Sequence, residues 1–182
     1  AAVVDVIDIR YWHYKKDGIF APEGGKNMAP RQHMRKMKVG KITFNEAYKA
    51  VSEYRRKFPQ KAVTFYAQNY PSMGWAVFMA SGSCPVIPCK DKAFLKDAAA
   101  MEVEETNTDQ YKKLVKSDTG NIIYSKSGTE IPIHLSSGKY VLKYIHPNSG
   151  EVNTINKSLK IKGLYTLKVP DKKEGIYWFH KL

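Results

Sequence analysis

Cysteine and acid are both scarce in this chain. Its 182 residues include 2 cysteines, and 17 Asp and Glu stand against 30 Lys and Arg, for a formal net charge of +13. So few cysteines exclude a disulfide-stapled scaffold. Cys84 and Cys89, in GSCPVIPC, are too widely spaced for the redox CxxC pattern, and no His or second Cys pair nearby suggests a zinc site. Pro85 and Pro88 bend the stretch between them, which leaves two readings: a small structural disulfide, as suits an exported protein, or two free thiols.

Long apolar runs are missing as well. No stretch approaches the roughly 20 apolar residues that span a bilayer, so no membrane association is expected and the chain reads as soluble. A signal peptide's basic start and apolar centre are absent too. That second absence carries no weight on destination, because Ala1 can be left by processing. The phosphate-loop pattern, G-x-G-x-x-G and H-E-x-x-H are not found. Gly82-Ser83-Cys84 is not a nucleophile elbow, since Pro85 follows and the flanking pattern is helix then loop. No cofactor is expected, and His33, His134, His146 and His180 sit singly, so no metal site is expected either. Asn156-Lys157-Ser158 fits a glycosylation acceptor, but so short a pattern arises often by chance.

What is present is a chain with 43% hydrophobic residues, enough for one large domain or two small ones. The excess charge is concentrated early: residues 1–61 carry 14 Lys and Arg against 6 acids, and residues 90–182 carry 16 against 11. Arg31, Arg35, Lys36, Lys38 and Lys41 form the densest run, either a plain solvated face or a surface for polyanions.

Two styles of sequence meet near residues 90–108. Before that seam, Val3 to Ile9 is nearly all aliphatic, as expected for a parallel strand covered on both faces. A long loop from Lys15 to about Lys41 follows. Thr43 and Glu46 then make a T-x-x-E capping box, and Ala47, Val51, Tyr54 and Phe58 recur at helical spacing until Pro59. Ala62 to Ala67 reads as the next strand, and Gly74 to Ala80 as a short apolar helix. Strand, helix and parallel strand make a βαβ unit. Two βα units cannot close a barrel or cover both faces of a sheet.

After the seam the period changes to two. Turn signals divide short runs into about seven strands: 111–116, 121–125, 130–135, 140–146, 152–156, 165–169 and 176–180. That cadence predicts an antiparallel β-sandwich. Between the halves, Ala93 to Met101 suggests one more helix and 102–109 is polar. The expected domains are therefore an α/β segment over 1–95, a linker over 96–109 and a β-sandwich over 110–182.

The segment VIDIRYWHYKKDGIFAPEGGKNMAPRQH, followed by EYRRKFPQKAV and GWAVFMASGSCPVIP, resembles the last two βα units of the (β/α)8 barrel in secreted bacterial glycoside hydrolases of the apiosidase-like group. The stretch with LVKSDTGNIIYSKSGTEIPIHL, YIHPNSGEV and LKVPDKKEGIYWFHKL resembles the collagen-binding-type β-sandwich that follows such barrels. The resemblance implies the C-terminal portion of a longer, secreted or periplasmic, polysaccharide-degrading enzyme. Such an enzyme flanks the sugar with two carboxylates about 5 to 9.5 Å apart. Here the first strand ends in Arg10, Tyr11, Trp12 and His13 and the second runs into Gln68, Asn69 and Tyr70, so no acid/base pair can be named and the catalytic residues stay unknown. Asp8 is a candidate carboxylate, with a structural aspartate as the plainer reading.

In this fold the loops at the C-terminal strand ends build the active site. Arg10, Trp12, His13, Asn69, Tyr70 and, less directly, Trp75 are the expected substrate-binding residues, the rings stacking on sugar faces and the polar groups bonding to hydroxyls. Core packing is the plain alternative for Trp12 and Trp75. Three functions follow: an enzyme fragment inactive alone, a non-catalytic module binding glycan or a matrix protein, and a polyanion or nucleic-acid binder. The last ranks lowest, because the basic run lacks interleaved aromatics. The uncovered parallel strands are expected to pack on the sandwich, on a missing barrel segment or on a second copy of the chain.

Overall fold

The computed structural model describes residues 5–9, 13–15, 18–20, 43–65, 71–117, 119–126, 128–171 and 173–182. The chain divides into two compact units, Ala1–Val86 and Ile87–Leu182.

In the first unit, β1 (Val6–Ile9) and β4 (Ala62–Phe65) pair in parallel with Ile9 opposite Phe65. The connection between them carries a hairpin, β2 (His13–Lys15) with β3 (Gly18–Phe20), where a loop was expected, and then helix α1 (Phe44–Lys57). The capping box forms in full: the Thr43 amide donates to Glu46 Oε2 at 2.7 Å, and the Glu46 amide to Thr43 Oγ1 at 3.3 Å. The buried stripe of α1 is Ala47, Tyr48, Ala50 and Val51. Tyr54 and Phe58, expected on that stripe, instead stack on each other at 6.2 Å near the helix end, and Phe58 is 44% exposed.

Helix α2 (Pro71–Met79) packs on α1. After it, Ser81 takes a left-handed φ of 52° and Gly82 sits so tightly that a Cβ would lie 2.5 Å from Val77 Cγ1. The chain then returns to β4, with the Ser83 amide donating to the Val63 carbonyl at 2.6 Å. One face of the parallel pair, with Ile9 and Val63, is buried. The other, with Val6 at 52% exposure and Asp8, is open among the described residues, so β1 is not covered on both faces as its sequence suggests.

The second unit opens with α3 (Lys92–Ala98), capped by Asp91, and continues as β5 (Glu102–Glu104), β6 (Tyr111–Lys116), β7 (Gly120–Ser125), β8 (Glu130–Ile145), β9 (Val152–Lys168) and β10 (Gly175–Lys181). These strands form one antiparallel sheet in the order β5-β6-β7-β10-β8-β9. The expected linker thus carries the end of a helix and an edge strand. The seven expected strands are also redrawn. Two pairs of them are single strands, β8 and β9, of 16 and 17 residues.

What looked like a turn at Ser136-Ser137-Gly138 is a β-bulge. Leu135 pairs with Gly163 and Gly138 with Ile161, so three steps along β8 match two along β9. The bulge shifts the alternation. Ile131, Ile133 and Leu135 are buried before it, and Tyr140, Leu142 and Tyr144 after it. All six belong to one hydrophobic cluster with Ile123, Tyr177 and Phe179, which means the sheet curls over its own core. Lys113 stitches the curl. Its buried ammonium donates to the Pro132 carbonyl of β8 at 3.0 Å and to Glu104 Oε1 at 2.7 Å, although β6 and β8 are not neighbours in the sheet.

The opposite face of this sheet is closed by α3. Phe94 packs edge-to-face on Trp178 at 5.5 Å, and Lys143 lies over the Trp178 ring at 4.4 Å. Asp97 pins the contact: it accepts from Trp178 Nε1 at 2.8 Å and from Lys116 Nζ at 3.3 Å, and His180 Nδ1 lies 3.3 Å away. Cys84 and Cys89 are free thiols, so of the two readings their spacing allowed the disulfide is not made. Cys84 is exposed at a left-handed φ of 53°, whereas Cys89 is buried and burial pushes its thiol up.

Two stability predictions follow from this packing. Asp97→Ala leaves the buried indole N–H of Trp178 unpaired and is expected to lower the unfolding free energy by about 2 kcal/mol in denaturant titrations. The exposed pair Lys168–Glu130 is the control, with Lys168→Ala expected to change stability by under about 1 kcal/mol. The second concerns alkali. Burial holds the hydroxyls of Tyr124, Tyr144 and Tyr177 above the ordinary tyrosine value, Tyr177 up to about 12. Glu174 adds to the shift at Tyr124, whose hydroxyl donates to it, and at Tyr144. Raised folded values give stability that is complete below about pH 10 and lost as pH climbs through them. Unfolding free energy should therefore fall from about pH 10 upward. Tyr177→Phe should flatten part of that fall at little cost, because the Tyr177 hydroxyl has no hydrogen-bond partner among the described residues.

Candidate functional site

β1 and β4 run the same way in register, so both strands end on the same side of this sheet. Arg10, Trp12, Asn69 and Tyr70 lie outside the described residues. His13 opens β2, where only the backbone is described, and β2 lies against α1.

Asp8 is the one carboxylate on β1 or β4. It is exposed, opposite Thr64 in register, and its Oδ1 accepts the Thr64 hydroxyl at 2.9 Å. Alternation sets Asp8 on the face away from buried Ile9, which settles the facing that the sequence left open. A carboxylate held this way is oriented, and it can accept hydrogen bonds from a ligand's hydroxyls.

Trp75 is placed differently. It is 0% exposed in α2 and packs edge-to-face on Phe78 at 5.5 Å, between Met73 and Met79 in an almost wholly buried helix. Its ring is a core element in this unit.

In the second unit the sequence reading passed over two polar hubs, Asp97 and Glu174. Asp97 gathers residues 81 and 83 positions away, a separation no local motif reports. Glu174 accepts from the Tyr124 hydroxyl, while the backbone carbonyl of Glu174 accepts from Tyr144 at 3.0 Å and Lys173 covers the Tyr144 ring at 4.4 Å. The GIYWFH run was the available signal, since its alternate residues face the two different cores. Among the described residues no three His, Cys, Asp or Glu side chains gather as metal ligands. No helix among them is long and apolar enough to cross a membrane.

These features define a βαβ unit with an oriented carboxylate on its open face, followed by an antiparallel β unit with one helix among its described residues. A family model described as a domain of unknown function, DUF6298, matches residues 1–101, and the chain belongs to that family. No curated protein matches. Among solved structures, a glycoside hydrolase family 5 protein from Bacteroides vulgatus ATCC 8482 is similar at 10% identity and a TM-score of 0.51, over 74% of this chain and 45% of that one. A Paenibacillus polymyxa xyloglucanase from glycoside hydrolase family 44 aligns at 12% identity and a TM-score of 0.39, over 75% of this chain and 35% of that one. The first likeness shows the fold and nothing finer. This chain spans less than half the length of either.

The contrast between Trp75 and Asp8 can be measured. Trp75→Ala removes a fully buried ring and should cost about 3–5 kcal/mol of stability. Asp8→Asn keeps a partner for Thr64 and should stay within about 1 kcal/mol of the parent. Denaturant unfolding of both variants checks the order.

Proposed function

We propose that this chain is the C-terminal part of a polysaccharide-processing glycoside hydrolase of secreted bacterial type. In this reading β1, α1, β4 and α2 are the last βα units of a (β/α)8 barrel, and the antiparallel unit is an accessory module. The likeness to the family 5 structure carries the proposal: it extends over a larger share of this chain than either unit alone supplies, yet over 45% of that structure.

The chemistry supports binding ahead of cleavage. Hydrolysis needs two carboxylates on either side of the scissile bond. The parallel pair offers Asp8 on its open face, where barrel side chains point inward. Arg10, Trp12, His13, Asn69 and Tyr70 follow the strand ends and would supply stacking and hydrogen bonds to sugar, with the second carboxylate coming from elsewhere in the barrel. Val6 and Asp8 would be covered by further parallel strands or by a second copy of the chain.

The test is the purified chain with a panel of neutral and acidic polysaccharides, scored for binding and for released reducing ends. Binding without release is the expected result. Release of reducing ends by this chain alone would overturn its inactivity, and failure to bind every polysaccharide would overturn the carbohydrate reading.

A further inference from the structure

The outer ribbon of the second unit's sheet carries a charge arrangement that the fold itself does not need. Strands β8 and β9 and the turn between them contain Lys139, Lys143, Lys157, Lys160, Lys162 and Lys168, with Glu130 and Glu151 as their acids, one at each far end of the hairpin. Glu130 is used up locally, paired with Lys168 at 3.2 Å. Glu151 accepts from the Asn153 side chain at 3.3 Å beside the turn. Between those ends, Lys139, Lys157, Lys160 and Lys162 are exposed and make no ion pair among the described residues.

Their placement follows from the ladder. Tyr140 and Ile161 point into the core, so Lys139, Lys160 and Lys162 point away from it. Lys139 is directly opposite Lys160, a position where like charges repel. Lys162 lies one same-face step from Lys160, roughly 7 Å along the strand. Lys157 stands in the irregular stretch where β9 gains residues on β8.

Lysines on an edge strand commonly guard it against pairing with other chains. That explains Lys157, Lys160 and Lys162, because β9 is the outermost strand. It does not explain Lys139. That residue is on the inner neighbour, where it blocks no edge and adds a repulsion to Lys160. A repulsion kept on an exposed face is relieved by an anion lying between the two cations.

We propose that the Lys139–Lys160–Lys162 face of the β8–β9 ribbon docks an acidic polysaccharide, one whose carboxylate or sulfate groups neutralise this row. The preference for polysaccharide over nucleic acid rests on the carbohydrate reading and on one further observation. The large exposed hydrophobics of β9 are aliphatic, Ile155 and Leu164, and offer no ring for base stacking.

The experiment uses the full chain with polygalacturonate, dextran sulfate, neutral dextran and duplex DNA as probes, at several salt concentrations. The parent should bind polygalacturonate or dextran sulfate with an affinity that falls steeply between about 0.05 and 0.2 M salt. The triple variant K139E/K160E/K162E should bind at least about tenfold more weakly at low salt. Lys160→Glu alone places opposite charges across the ladder, so its unfolding midpoint should hold or rise while binding falls, which separates lost contact from lost fold.

Acidic-polysaccharide binding unchanged in the triple variant overturns the proposal. So does binding to DNA with none to either acidic polysaccharide. Neutral polysaccharide bound equally by parent and variant, with no acidic ligand bound, also overturns it while leaving the carbohydrate reading standing.

Discussion

The β-bulge at Ser136–Gly138 is the constraint on which the second unit depends. A strand of 16 residues that kept strict alternation through a curling sheet would turn half of its apolar set toward solvent, because side chains repeat every two residues. One extra residue in β8 re-phases the strand, so Ile131, Ile133 and Leu135 meet Tyr140, Leu142 and Tyr144 in a single core. Tyr140 secures the bend from inside, donating its hydroxyl to the Ser136 carbonyl at 2.8 Å. Lys181 secures it from the last strand, donating to Ser136 Oγ at 2.8 Å. A Cβ on Gly138 would lie 3.0 Å from Lys181 Cε, so that side chain would have to give way.

The same bulge explains what the sequence could and could not convey. Ser-Ser-Gly is a turn signal by composition, and reading it as a turn splits β8 into two strands and the sheet into a sandwich. The composition reports that the backbone must deviate there. It cannot say whether the deviation reverses the chain or only re-phases it, because that is decided by β9 on the other side of the ladder. Elements set by neighbours in sequence were legible: the Thr43–Glu46 capping box, the α1 helix, β4, β6 and the final strand. Elements set by distant partners were not. Asp97 shows this best, since its indole and imidazole neighbours are more than 80 residues away. The stripe of α1 was partly misread for a related reason. Tyr54 and Phe58 have the right spacing for the core, but they lie near the helix end, where stacking on each other serves in place of burial.

The candidate site was legible in outline only. Strand ends of a parallel pair nominate the residues that follow them, and the in-register pairing of Ile9 with Phe65 brings those two ends to one side of the sheet. The facing of Asp8 needed the structure, because the strand reads as apolar on both sides and the alternation could start on either. Trp75 needed it too. An aromatic after a strand end suits a sugar platform equally well as a core, and only its complete burial beside Phe78 assigns it to packing.

Charge is handled oppositely in the interior and on the outer ribbon of the second unit's sheet. In the interior the buried charges are matched, Asp97 with Trp178 and Lys116 and Lys113 with Glu104 and a carbonyl, while the neutral Tyr177 hydroxyl goes without a partner among the described residues. For a charge that matching matters most, because an unpaired ion in a dry interior loses its hydration with nothing in return. On the β8–β9 ribbon the lysines are exposed, hydration satisfies them, and folding exerts little pressure on their number or sign. Their clustering with like charges opposite one another therefore carries information that the matched hubs do not. A buried pair is accounted for by the fold that contains it. An exposed row of one sign, costing the sheet a repulsion at Lys139 and Lys160, has its physical counterpart outside the chain.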